Sequence, residues 1–529
     1  MGVAGLKYKT KKIWMRDDFF GSLVKTFTRV VIVIPLVIII IAPNPHIATG
    51  VGFFDSNAYN EKRLLEISTL LLLVLVPLLS WARQSKWQQL LQQIPTTAWA
   101  LLSVIFILGS LSLKQSALMR MGWNEFGLTF FIFFGITAVA ALRKDNHALD
   151  TILIFAVTVM ASLFFIRFEL FRYLDVFSLH MISNHEFRAE WEPWVVAKRS
   201  RELLSDFTHP RFFGQFQSWV IPLLTLPFLW SKKRFSKPIF SLFFILPAAC
   251  WITLLIFSGS RGPWLGLVAA IIITGVLLKK KALPWIISIV IAILGGSLIY
   301  WLLFSIQFEG PGIATHTAER LTSLNSRSEL WNAAWVMSRD YPLLGVGPQH
   351  FSYHLDKILT FRVGHPHMSV LKWAAEYGWI STLLLLSLIV WAFSSWIKKT
   401  KQSKLDDCDL NFRVALTASI ITAASHSLVS GVMIMPLSQL MLVVIIGWIV
   451  GIHFSNHPIE KIPWLSVKSI GSLTLILWIG WNFAQSIGPE VHYIINGPHS
   501  EITVFNPSEV LQPRFWHQGI IPWIQLPAE

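Results

Sequence analysis

The chain has 529 residues, a mean hydropathy of +0.56 and only 14% charged residues, where a soluble domain carries about a quarter. Its apolar residues gather in blocks of roughly 17–25, the length that crosses a bilayer core, so a soluble globular protein is excluded. The formal charge of +15 does not point to nucleic acid, because the lysines and arginines lie mainly in short segments between apolar blocks.

Thirteen stretches have the character of transmembrane helices: 27–45, 64–81, 96–113, 126–142, 151–167, 213–230, 239–258, 262–278, 285–305, 371–397, 414–432, 433–452 and 468–488. Helices are expected because an open sheet cannot satisfy its backbone in lipid. The expected fold class is an all-α polytopic membrane protein with 12 or 13 spans. More than half of the 44 lysines and arginines fall in the tail 1–29 and in the short loops on its side of the membrane. That bias places the N-terminus in the cytoplasm. An odd number of spans then puts the tail 489–529 on the outer side.

The basic N-terminus followed by an apolar run resembles a signal peptide. It lacks a small-residue cleavage site and continues into Ala42-Pro43-Asn44-Pro45, so an uncleaved anchor is expected. Cys250 and Cys408 fall in an apolar run and an inner loop and form no disulfide framework. The 25 tryptophans fit interfacial anchoring. No internal repeat or low-complexity linker is evident. The chain divides into a membrane region 1–305 with an outer loop 167–212, a loop 306–370, a membrane region 371–488 and the tail 489–529.

Three outer segments carry chemistry. Loop 167–212 ends in Thr208-His209-Pro210-Arg211, which sets Arg211 at the mouth of the sixth span. It could snorkel to the interface or bind a ligand. The turn Ser258-Gly259-Ser260-Arg261-Gly262-Pro263 leaves almost no loop between two spans. Arg261 therefore lies near the outer face with no acidic residue adjacent in sequence. An anion is its natural partner, aided by the helix N-terminus. The bland reading is a topology-setting charge, and its outer position runs against the orientation rule.

Loop 306–370 opens with Ser326-Arg327-Ser328-Glu329, which has capping-box spacing. Leu330, Ala334 and Met337 then continue an interfacial helix that Pro342 ends, with Arg327 either capping, snorkelling or binding. The loop holds five histidines, at 316, 350, 354, 365 and 367. No Cys and no HExxH pattern accompanies them, so a metal site is set aside in favour of acid–base chemistry. His367 follows Pro366 near the start of the tenth span, where the helix dipole favours the neutral imidazole that a base needs. Asp407-Cys408-Asp409 matches a short nucleotide-sugar pattern but is expected to be a solvated inner loop.

Arginines and a neutral histidine at one membrane face suit the transfer of a glycan from a polyprenyl diphosphate. The guanidiniums would hold the departing diphosphate, and the histidine would take the proton of an attacking hydroxyl. These residues resemble the O-antigen ligase/polymerase superfamily of bacterial inner-membrane glycosyltransferases. The resemblance lies in SGSRGPWLGL (258–267), in Arg327-x3-Trp331 followed by PLLGVG (342–347), and in HMSVLKWAAEYGW (367–379); PRFWHQG (513–519) adds a weaker likeness.

The resemblance implies a GT-C-like helical fold with a large helical periplasmic loop. It implies a metal-independent, inverting transferase without a cofactor, acting on undecaprenyl-diphosphate-linked glycan at the periplasmic face. By position His367 looks like the catalytic histidine, with Arg211 and Arg261 as diphosphate ligands and Arg327, His365 and Glu376 in support. Met368 departs from the family's usual asparagine. The acceptor is expected to be the lipid A-core of a ligase. A polymerase or a protein O-oligosaccharyltransferase would use the same machinery. A transporter of lipid-linked sugars is disfavoured, because the spans contain almost no acidic residues and no inverted repeat.

Overall fold

The computed structural model describes residues 58–79, 86–144, 146–182, 207, 210–231, 241–305, 317–355, 358–359, 363–403, 405–455, 467–496 and 515. The predicted span 27–45, most of the loop 167–212, His316 and nearly all of the tail beyond residue 496 lie outside the described residues.

Among the described residues the chain is all-helical, without a strand. In order the helices are α1 (Ala58–Leu79), α2 (Lys86–Gln93), α3 (Thr96–Ser112), α4 (Met119–Arg143), α5 (Ala148–Ile182), α6 (Pro210–Val220), α7 (Leu226–Ser231) and α8 (Leu246–Ser258). There follow α9 (Arg261–Leu278), α10 (Leu283–Tyr300), α11 (Thr317–Asp340), α12 (Phe351–Leu355), α13 (Ser369–Gln402), α14 (Asp407–Ser427), α15 (Pro436–His453) and α16 (Val467–Asn496). Seven helical stretches among the described residues are long and apolar enough to cross a membrane, and one of them, Arg261–Phe304, contains two predicted spans. The protein is an all-α polytopic membrane protein.

Several predicted spans differ from the observed helices for physical reasons. The sixth breaks at Ile221–Thr225, so that α6 and α7 are two short helices. Pro222 cannot continue the backbone ladder. Its carbonyl accepts hydrogen bonds from Thr225 Oγ1 at 3.1 Å and Trp285 Nε1 at 3.0 Å, so the broken backbone stays satisfied. α1 begins ahead of the predicted span and carries buried Lys62, Arg63 and Glu66. α11 starts at Thr317, which leaves the Ser326–Glu329 spacing inside a helix rather than at its cap. Asp407–Asp409 is not a loop: Asp406 caps α14 by accepting a 2.9 Å bond from the Asp409 amide, and the acidic residues suit the positive end of the dipole.

Small residues let the helices approach closely. Gly262 faces His426 and Gly266 faces Thr422, which makes α9 and α14 an antiparallel pair. Gly135, Val139 and Arg143 of α4 face Val443, Gly447 and Gly451 of α15, a parallel pair closed by a buried ion pair. There Arg143 grips both Asp150 carboxylate oxygens at 2.5 and 2.6 Å while Trp448 Nε1 donates to one of them at 2.8 Å.

The segment that precedes the histidine pair is fixed by a backbone crossing. α13 is not continuous: Gly378 has φ 79°, and the amide of Trp379 donates to Pro342 O at 2.8 Å. Pro342–Gly347 crosses this kink, with Val346 N donating to Ala375 O at 2.8 Å and Gly347 N to Glu376 O at 3.2 Å. A Cβ at Gly378 would meet the Leu343 carbonyl, and one at Gly345 would meet the Glu376 carbonyl. Two left-handed glycines at one crossing explain the spacing between the PLLGVG and Glu-Tyr-Gly motifs.

Candidate functional site

Two helix N-termini meet, each opened by an arginine. Arg211 is the second residue of α6 and Arg261 the first of α9. Ser260 Oγ donates to Pro210 O at 3.4 Å, and a Cβ at Gly214 would sit 3.1 Å from Ser260 and Pro263. Gly259, left-handed at φ 63°, closes α8 and starts α9 after a single intervening residue, as the Ser-Gly-Ser-Arg-Gly-Pro pattern predicts. Both arginines are exposed at this junction.

Arg327 joins them from α11. Leu330, Ala333, Ala334 and Met337 bury one face of that helix against Val346, Phe351 and Ala375. Trp335 adds an edge contact to Trp379, with ring centroids 5.7 Å apart. This packing leaves Arg327 half-buried within the fields of the other two guanidiniums. Burial first, then the charges of Arg211 and Arg261, weakens its hold on the proton below the ordinary guanidinium value. Arginine stays charged nonetheless, so three cations converge. Among the described residues, neither Arg261 nor Arg327 forms an ion pair with a carboxylate. Such a group is complementary to a multiply charged anion.

The histidine pair lies ahead of α13 rather than within its first turn. Ser369 is the first helical residue, and His367 takes a left-handed conformation at φ 55°. Its amide donates to His365 Nδ1 at 3.1 Å, and the two rings meet edge to face with centroids 4.2 Å apart. His365 is buried and its ring packs over Gly431, whereas His367 is partly open. The neighbouring Ser430 Oγ accepts from Gln215 Nε2 at 2.8 Å. Gln215 stands one helical turn after Arg211, so a continuous run of contacts links the arginine junction to the histidines. Gln215 Oε1 is buried without a hydrogen-bond partner among the described residues.

Other sequence-selected residues have different duties. Glu376 is fully buried at the backbone crossing, where Oε1 accepts from the Phe351 amide at 3.2 Å and Lys372 Nζ lies 3.7 Å from Oε2. These contacts hold the PLLGVG segment and the start of α12. His350 uses both ring nitrogens on the backbone: Nδ1 lies 2.7 Å from Pro348 O, and Nε2 accepts from the Leu118 amide at 3.0 Å. No group of three or more metal-ligating side chains occurs among the described residues.

The structure corrects one premise. The helices do contain buried carboxylates, namely Glu66, Glu125, Asp150, Glu376 and Glu490. Each has a partner: Arg63, Lys372, Arg143, Lys372 and Asn124 respectively. Paired carboxylates of this kind hold helices together rather than serve ion coupling.

Sequence reasoning missed His426. It lies in the last turn of α14, 4% exposed, with Nδ1 2.8 Å from Ser218 Oγ and its ring against Gly262. The field of Arg327 reaches it. The available signal was an ionisable residue inside an apolar run.

Residues 246–386 match the family model described as O-antigen ligase. The match covers about a quarter of the chain and takes in Arg261, Arg327, the PLLGVG crossing, both histidines and Gly378. Over these residues the chain is similar to the O-antigen ligase family, which supports the resemblance to the O-antigen ligase/polymerase superfamily. No curated protein matches the chain.

Proposed function

We propose that this O-antigen ligase-family protein transfers a glycan from undecaprenyl diphosphate to a hydroxyl acceptor, lipid A-core in the first instance, at the periplasmic face of the bacterial inner membrane. The observation that carries this reading is the convergence of Arg211, Arg261 and Arg327 where α6 and α9 begin. A diphosphate is the anion whose charge and multiple acceptor oxygens fit three guanidiniums and two helix N-termini.

The transfer is inverting and needs no metal. The acceptor oxygen attacks the anomeric carbon on the face opposite the phosphate. The new glycosidic bond forms as the anomeric C–O bond to phosphorus breaks, and the bonding pair leaves on the diphosphate. Arg211, Arg261 and Arg327 offset that growing charge, the part a divalent cation plays elsewhere. The acceptor's proton passes to His367, whose partly open ring is steadied by His365. Glu376 acts indirectly, by fixing the segment on which Arg327's helix rests.

The test is transfer by the purified protein in nanodiscs, using radiolabelled lipid-linked glycan and lipid A-core. Arg261→Ala and His367→Ala should each abolish transfer while the protein still inserts, and EDTA should have no effect. Full activity in either variant would remove the role given to that residue. Strong EDTA inhibition reversed by zinc would contradict the metal-free reaction. Glycan appearing across the membrane without covalent transfer would make the protein a transporter.

A further inference from the structure

The buried arginine of α1 completes a device that reaches the site from the far end of the chain. Arg63 is 1% exposed, yet all five of its N–H donors are used. Nε donates to Phe515 O at 2.8 Å. Nη1 donates to Glu66 Oε2 and Gln439 Oε1, both at 2.5 Å. Nη2 donates to Ile434 O at 2.7 Å and to Tyr59 OH at 3.2 Å. The ring of Phe515, itself 0% exposed, covers the guanidinium with its centroid 5.1 Å away. One side chain thus ties α1, the α14–α15 connection, α15 and the C-terminal tail.

Two of these partners lead directly into the proposed site. Gln439, held by Arg63, donates in turn to Met433 O at 3.1 Å, so the carbonyls of Met433 and Ile434 are both pinned. The following Met435 packs beside Gly431, the residue that carries the His365 ring. On the other side Tyr59, Ile434 and Met435 pack with Phe212, next in sequence to Arg211. The network therefore borders both the histidine pair and a diphosphate ligand.

We infer that Arg63, capped by the tail residue Phe515, is a positioning residue that holds the Ser430–Gln439 segment and Phe212 in register, and through them His365, His367 and Arg211. The inference rests on the functional reading given above. Stability alone does not explain an arginine here, because a buried ion pair contributes little over well-packed apolar side chains of similar volume. What five fixed N–H groups supply is geometry, and a misplacement of about 1 Å at reacting groups can cost on the order of 100-fold in rate. Phe515 thereby takes part in catalysis through Arg63.

The experiment compares wild type with Phe515→Ala, Phe515→Tyr and Arg63→Lys in nanodiscs, with lipid-linked glycan extracted from the source strain as donor. The backbone carbonyl of residue 515 survives every substitution there, so Phe515→Ala removes only the ring over the guanidinium. It should lower kcat per folded protein by about 10-fold or more while donor KM stays within about twofold, beside the lower thermal midpoint that the loss of a fully buried ring brings. Phe515→Tyr, which keeps an aromatic face, should restore kcat. Arg63→Lys keeps the charge but not the planar fork and should behave like Phe515→Ala. Should Phe515→Ala not fold, Phe515→Leu, which fills the volume without a π face, carries the same test. Wild-type kcat in Phe515→Ala beside an inactive His367→Ala control would overturn this inference alone. Full turnover in His367→Ala would overturn the functional reading and this inference with it. A fall in kcat only in proportion to the loss of folded protein would make Arg63 a structural brace and overturn the positioning role.

Discussion

The imidazole of His426 lies so close to the Cα of Gly262 that a Cβ at that position would overlap the ring. Ser218 holds the imidazole from behind, 2.8 Å from Nδ1, and Ser218 Oγ also donates to Gly214 O at 3.1 Å. His426 therefore acts as a wedge between Ser218, in the third turn of α6, and the first turn of α9, the turn that carries Arg261. Gly262→Ala should displace Arg261 and cut kcat/KM by on the order of 100-fold. In a His426→Ala background the added methyl has room, so the same substitution should cost far less. A four-protein cycle measures this coupling. Additive effects would show that the ring and the glycine do not act on one another.

Arg327 shares its space with two other cations and forms no ion pair with a carboxylate among the described residues. Without a bound anion the three charges repel. Arg327→Gln should raise the thermal midpoint of the substrate-free protein by a few degrees and raise donor KM several-fold. Adding salt should narrow the stability difference, because mobile ions screen the repulsion. A lower midpoint for Arg327→Gln would mean that the guanidinium is held by attraction instead.

Gly378 is irreplaceable for a geometric reason. Its φ of 79° is strained for any L residue, and a Cβ would run into the Leu343 carbonyl. Gly378→Ala should destabilise the protein by at least about 2 kcal/mol. The loss would appear as a lower thermal midpoint and a lower yield of monodisperse protein in detergent. Normal stability would contradict the observed crossing.

Lys372 Nζ lies 2.5 Å from Glu125 Oε1 and 3.7 Å from Glu376 Oε2, and all three residues are buried. Lys372→Met would leave two carboxylates together without their cation, at a cost of about 3–5 kcal/mol. Replacing Glu125 by Gln in the same protein should recover much of that loss. Chemical denaturation of the three variants tests it, and a double variant as unstable as Lys372→Met alone would contradict the pairing.

Much of this was legible in the sequence, but unevenly. Hydropathy located most of the apolar helices among the described residues, because lipid imposes length and apolarity on each of them, but it did not show the break in the sixth span. The Ser-Gly-Ser-Arg-Gly-Pro turn was readable because its geometry is local. The break at Gly378 was not: Ala-Ala-Glu-Tyr-Gly-Trp reads as helix, and the partner that stabilises the break, Pro342 O, lies 37 residues upstream. The capping-box spacing at Ser326 misled because local capping signals yield to a helix that begins earlier. Arg211, Arg261 and Arg327 could each be singled out, whereas their convergence depends on tertiary packing. His426, Arg63 and Phe515 stayed hidden for the same reason, since each acts through a residue remote in the chain.

The most direct test of the central claim is the lipopolysaccharide and carrier-lipid profile of a deletion strain complemented with wild type or His367→Ala. Wild type should restore the glycan ladder on lipid A-core. With His367→Ala the ladder should be absent, and long glycan should accumulate on undecaprenyl diphosphate. A core carrying a single repeat unit would identify a polymerase. An unchanged ladder in the deletion strain would contradict both, and loss of protein glycosylation there would redirect the same chemistry to a serine or threonine acceptor.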